Sequence, residues 1–148
     1  MRVNVVRVRF GVVAVAAAMM AAGCGSSSSP TTPSPTPSGP TFSQQVQAQI
    51  LTPACVSCHT DEGRVPAANL NLRPGAAYPN MVGVTSWING KAGAIRVIAG
   101  NPSGSYLVQK LEGTTGIVGA QMPRNAAPLS TAQIALIRQW IQNGAPNN

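Results

Sequence analysis

Apolar positions three and four residues apart mark out two helices near the ends of a long C-terminal stretch. Phe42, Val46 and Ile50 recur at i, i+4 and i+8, which places them on one helical face. Thr41 precedes the run and Gln44 stands three positions on, the spacing of a capping box. Pro53 predicts the end of this helix. Further on, Ile134, Ile137 and Ile141 form a second stripe, widened by Leu136 and Trp140. Ser130 and Gln133 make a second capping box ahead of it, and Gly144 followed by Pro146 predicts its end. Between the two, Pro102-Ser103 predicts the start of a shorter helix carrying Tyr106, Leu107 and Leu111 and closed by Gly113. A weaker helix is predicted around 76–82, interrupted by Pro79, and Val97-Ile98 reads as a short extended piece. No alternating strand series and no internal repeat is present. The pattern predicts a small, mainly α, loop-rich fold.

The apolar run at 10–22 is of another kind. It is 13 residues long, whereas a membrane span needs about 20. Arg2, Arg7 and Arg9 precede it and Gly23-Cys24 follow. A basic start, a short apolar core and a small-residue exit describe a signal peptide over 1–23. Ala21-Ala22-Gly23-Cys24 resembles a bacterial lipobox, which implies a lipid-modified Cys24 at the mature N-terminus. The alternatives are ordinary cleavage nearby, leaving Cys24 a free thiol, or a retained anchor.

From Gly25 to Thr41 the chain is almost wholly Ser, Thr, Pro and Gly, with five prolines. Such a segment cannot bury enough apolar surface to offset its ordering entropy. It reads as an extended tether, residues 24–41 with the lipid cysteine, reaching on the order of 50 Å. Residues 42–148 then form one domain.

Composition narrows the function. Charged residues are 9% of the chain, against about 25% in ordinary soluble domains, so coiled coils and charge-laced rods are excluded. Loss of the three leader arginines lowers the net charge from +7 to +4. The remaining basic residues are scattered, without the cluster that tracks a phosphate backbone, so no nucleic-acid partner is expected. Five aromatics serve the whole domain: Phe42, Tyr78, Trp87, Tyr106 and Trp140. A core this modest would gain from a large apolar cofactor.

The candidate chemistry is Cys55-Val56-Ser57-Cys58-His59, the CxxCH of covalent c-type haem attachment. Two thiols at this spacing add to the two haem vinyl groups, and the following histidine ligates the iron. Other arrangements fit part of the motif. A zinc site needs four ligands, and beyond Cys24 only a carboxylate such as Asp61 or Glu62 could complete one. A thioredoxin-like pair wants a βαβ context, and a disulfide would close a very small loop. Three cysteines, one for lipid and two for haem, leave no odd thiol.

With one histidine in the chain, the second axial ligand is expected from methionine. Met122 lies in a Gly-Ala-Gln-Met-Pro loop before the last helix and is favoured. Met81 sits in a helix-like stretch where a core role is expected, and an open or other-ligated site is the third case. Trp87, Tyr78 and Arg96 are secondary candidates for haem propionates, each as readily explained by packing or surface. Trp140 is expected in the core, and Asp61-Glu62 at the solvated surface.

These pieces, in order, resemble a single-haem cytochrome c domain. The resemblance covers 42–148: CxxCH at 55–59, Asn69-Leu70-Asn71-Leu72-Arg73, the stretch 96–107 with Gly100-Asn101-Pro102 and Ser105-Tyr106-Leu107, Met122-Pro123, and 129–145 ending in Gly144-Ala145. It is closest to a branch common in exported bacterial proteins. It implies N- and C-terminal helices packed beside one covalent haem c, with Cys55 and Cys58 as thioethers, His59 proximal and Met122 distal. One departure is Gln121, where Arg or Lys often precedes the Met-Pro. Arg124 follows the pair and could take over a propionate or surface role.

The expected function is one-electron transfer rather than enzymatic turnover, by a lipid-anchored monomer on the periplasmic side of a bacterial membrane that meets redox partners transiently. Gly25 after Cys24 points to the outer membrane. A haem subunit of a larger redox complex is the alternative, and a gas sensor or peroxidase-like enzyme a further one.

Overall fold

The computed structural model describes residues 39–63, 65–86 and 91–148. The expected signal peptide, Cys24 and Trp87 lie outside the described residues, as does all but the end of the expected tether. Among the described residues the structure is mainly helical and loop-rich, with four helices and no β-strand. No described helix is long and apolar enough to cross a membrane.

The first helix, α1, is wound as a π-helix over Phe42–Leu51 and finishes in an α-helical turn, Thr52–Ala54. Its wider turns change two expectations. The Thr41 side chain does not cap the helix. Instead the Thr41 amide donates to Gln45 Oε1 at 2.8 Å, one residue later than the predicted Gln44, because a wider turn takes one more residue to come back over the cap. The wider winding also adds Gln47 and Leu51 to the buried face beside Phe42, Val46 and Ile50. Pro53 does not end the helix. It stands one residue before the last of the helix, just after the winding changes from π to α.

The N-terminal amides of α1 find a partner at the other end of the chain. Phe42 donates to Asn148 Oδ1 at 2.9 Å and Ser43 to the Asn148 carbonyl at 2.8 Å. This pins the last residue over the first turn.

A short helix, α2, runs over Ala77–Met81. Pro79 falls in its first turn, where amides have no intrahelical partner, so the predicted break is absorbed. Val82 and Thr85 then make single bridges to Val97 and Ile95, so the extended piece at Val97 exists without growing into a sheet.

The third helix, α3 (Tyr106–Glu112), begins later than Pro102-Ser103 suggests. Asn101 Oδ1 accepts the Gly104 amide at 2.9 Å, which spends the start signal on a turn before the helix. Gly113 ends α3 at φ 68°, as predicted.

The last helix, α4 (Thr131–Gln142), has the full Ser130–Gln133 capping box. Its end is a Schellman motif: Ala145 N–H bonds the Trp140 carbonyl at 3.0 Å and Gly144 N–H the Ile141 carbonyl at 2.9 Å, with Gly144 at φ 91°.

Helix α4 packs against both α1 and α3. The core is the meeting of their stripes: Phe42, Val46, Ile50 and Leu51 with Val108 and Leu111, and with Ile137, Trp140 and Ile141. The rings of Phe42 and Trp140 lie 5.3 Å apart, and Tyr78 meets Phe42 edge-on at the same separation. Trp140 is fully buried, as expected, and its indole N–H is satisfied by the Pro146 carbonyl.

Candidate cofactor site

Helix α1 delivers Cys55. The chain then folds into a tight turn in which Cys58 and His59 both donate to the Cys55 carbonyl, at 3.2 and 3.0 Å. Residues three and four apart in such a turn share one side, which brings Cys55, Cys58 and His59 to one wall. Both cysteines are free thiols. Burial, and then the neighbouring Cys58, push the Cys55 thiol up to about 11.

His59 is oriented by the segment after it. Its Nδ1 lies 3.0 Å from the Ala67 carbonyl. With Nδ1–H as the donor, the ring lone pair belongs to Nε2, the nitrogen a metal would take, and a carbonyl partner raises its basicity. The segment is itself closed by the Ala67 amide on the Cys58 carbonyl at 3.2 Å and the Leu72 amide on the His59 carbonyl at 2.8 Å. Outside it, Arg73 clamps Asp61 at 2.9 Å and Glu62 at 3.1 Å. These carboxylates are thus exposed but ion-paired, where the sequence suggested only solvation, and Arg73 holds the Asp61 carboxyl below its ordinary range.

A cavity of about 460 Å³ opens beside this turn. Cys55, Cys58 and His59 line it. So does Met122, which is 63 positions beyond His59, together with Met81, Leu70, Leu72, Leu107 and Leu111. Both candidate methionines therefore reach the same space. Met81 is completely buried in the core, whereas Met122 is half-buried on a loop.

Helix α3 straps that loop in place. The Lys110 ammonium donates to the carbonyl of Val118 at 2.8 Å and to that of Ala120. Tyr106 Oη accepts the Val118 amide at 2.9 Å, and Gln121 Nε2 donates to the Leu111 carbonyl at 2.7 Å. Gln121 thus has a local structural use. Neither Lys110 nor the Tyr106 hydroxyl stood out in the sequence, where both read as ordinary positions of a short helix.

Charge is distributed unevenly around the cavity. Arg96, Lys110 and Arg124 line it and no carboxylate does. The chain's three acidic residues are all paired elsewhere, Asp61 and Glu62 with Arg73, and Glu112 with Arg138. Arg96 is 6% exposed, and burial lowers its affinity for its proton. Apolar walls with cations and no anions suit a large apolar ring carrying anionic groups, so the residues present fit a haem. Tyr78, a secondary candidate for propionates, is used otherwise: its hydroxyl donates to the Ala145 carbonyl, and it does not line this cavity.

The fit to zinc is poorer. Among the described residues no three Cys, His, Asp or Glu side chains gather as a metal-holding group, and Asp61 and Glu62 are turned to Arg73. Compared with family models, curated proteins and solved structures, the chain finds no match.

Proposed function

We propose that this protein is a one-electron carrier holding a single covalent c-type haem, exported and tethered to a bacterial membrane through a lipid on Cys24. The observation that carries the reading is convergence: Cys55, Cys58, His59 and Met122 line one apolar cavity, although Met122 comes from a separate loop. The Cys55–His59 turn is local, so the informative meeting is with Met122, which stands 63 positions beyond His59.

Cys55 and Cys58 would hold the haem as thioethers, and His59 and Met122 would ligate its iron. The haem supplies a one-electron iron couple, tuned by ligand identity, hydrogen bonding and burial. The chain's own contribution is to fix the His59 ring through the Ala67 carbonyl, to present Met122 from a strapped loop, and to surround the group with leucines that limit solvent reorganisation. Occupied by His and Met, the iron would have no open position for substrate, which favours a carrier over an enzyme. Redox partners would meet it transiently, and the 24–41 tether would let the domain reach them from the membrane surface.

The test is a reduced-minus-oxidised spectrum of the protein exported with a c-type haem maturation system, with haem staining after denaturation. One covalent haem per chain and a ferric methionine-to-iron band support the carrier. A high-spin ferric iron that readily takes carbon monoxide would replace it with a sensor or enzyme. Absence of covalent haem would overturn the reading.

A further inference from the structure

Arg96 is a buried guanidinium with no carboxylate partner. Its contacts are backbone carbonyls: Nη1 donates to Asn80 O at 2.7 Å, and Nη2 to Asn69 O at 3.1 Å and Ala68 O at 3.3 Å. A buried cation held this way is costly and needs a reason. Arg96 is also anchored through its main chain, its amide on the Val84 carbonyl at 2.8 Å and its carbonyl accepting the Leu107 amide at 2.9 Å. It therefore joins the start of α3, the end of α2 and the turn at Ala67–Asn69.

That turn is the unusual partner. Ala68 and Asn69 both have left-handed backbones, at φ 55° and 49°. This conformation is strained for alanine and uncommon even for asparagine, and two in succession need something to hold them. The guanidinium takes the carbonyls of these same two residues. The carbonyl just before them, on Ala67, is the one His59 Nδ1 contacts. A single rigid fork thus stands one peptide away from the group that orients the histidine.

We propose that Arg96 is a positioning residue for His59: by holding the Ala68 and Asn69 carbonyls it keeps the Ala67 carbonyl aimed at the imidazole. This rests on the reading of His59 as an axial haem ligand. Lysine cannot replace it, because an ammonium lacks the planar fork that serves carbonyls from two segments at once.

The test uses the exported holoprotein, reduced, with nitrogen-15 histidine. His59 is the sole histidine, so its ring Nδ1–H signal is unambiguous. Solvent exchange of that proton is measured in the parent, R96Q, R96K and R124Q. R124Q removes a cavity-lining charge from an exposed side chain and controls for charge alone. Exchange should quicken about tenfold in R96Q and R96K, the effect of weakening one hydrogen bond, and stay unchanged in R124Q. Adding Ala68→Gly, which removes the left-handed penalty at that position, should restore part of the protection in R96K. Exchange within about twofold of the parent in R96K, or an equal rise in R124Q, overturns the assignment. Should R96Q fail to load haem, R96K decides. Loss of haem from R96K also counts against the proposal, which requires a loosened ligand and not an absent one. A parent chain without covalent haem overturns the proposed function instead, while a haem-loaded parent with unresponsive variants overturns only the role of Arg96.

Discussion

Lys110 and Met122 hold each other from both ends of one residue. The Met122 amide donates to the Lys110 carbonyl at 2.8 Å, while the Lys110 side chain reaches back to the carbonyls of Val118 and Ala120. The loop carrying the methionine is thereby fixed to α3 at three points around it. Without that strap a loop with glycines at 116 and 119 would have little reason to keep one conformation.

Lys110→Met keeps the aliphatic stem and removes the ammonium. Two carbonyls lose a charged donor, partly replaced by water because the site is half-exposed. The expected cost is about 1 kcal/mol of unfolding free energy. Amide hydrogen exchange should localise the effect, with faster exchange at Val118 and Met122 and little change in α4. Unchanged exchange at both amides would show that the strap is not what orders the loop.

The two cavity methionines should separate cleanly on substitution. Met81 is completely buried, so Met81→Ala should cost about 2–5 kcal/mol in denaturant melts and leave the methionine-to-iron band in place. Met122 is half-buried on a loop, so Met122→Ala should cost less stability and abolish that band while the haem stays attached. Loss of the band in Met81→Ala alone would exchange their roles.

The parts of the fold legible in the sequence were those fixed by local chemistry. The Ser130 box, the Gly113 and Gly144 ends and the α4 stripe depend on neighbours within one or two turns, and all stand as expected. The misjudged features depend on distant partners. Nothing near Thr41 says that Asn148 will cover the first turn of α1. The start of α3 moved because Asn101 captured a turn. At the site, the sequence singled out the Cys55–His59 run and Met122, and the structure lines one cavity with both. The Ala67 carbonyl, the Lys110 strap and the carbonyl cradle of Arg96 were not readable, since main-chain acceptors carry no sequence signature and charged residues on a short helix look like surface.

Before any cofactor is attached, the two thiols should differ in reactivity. The thiolate is the nucleophile. With Cys55 pushed up to about 11 by burial, only about one molecule in a thousand carries that thiolate at pH 8. Cys58 is exposed. In the folded haem-free chain, iodoacetamide should label Cys58 well ahead of Cys55, and raising the pH toward 11 should speed Cys55 labelling. Denaturant should erase the difference. Equal labelling rates in the folded chain would mean that Cys55 is no better shielded from solvent than Cys58.

Gly113 connects the end of α3 to the methionine loop and offers a sharper test of how the two are joined. Its φ of 68° favours glycine, and a Cβ there would meet Gln121 Oε1 at 2.8 Å and Cδ at 2.9 Å. Gln121 in turn holds the Leu111 carbonyl at 2.7 Å. Gly113→Ala therefore carries a conformational cost of about 1 kcal/mol and must also displace a side chain that stands next to Met122. Gly119 provides the comparison, with φ 71° and open space for 4 Å around the place a Cβ would take, so Gly119→Ala should show the conformational cost alone. The expected result is a larger loss for Gly113→Ala, by about 1 kcal/mol for the broken Gln121–Leu111 bond. Adding Gln121→Ala should relieve the clash without restoring the bond, so in that background the further cost of Gly113→Ala should fall to the level of Gly119→Ala. Equal costs for the two glycines in the parent chain would mean that Gln121 moves aside freely and does not tie the loop to α3.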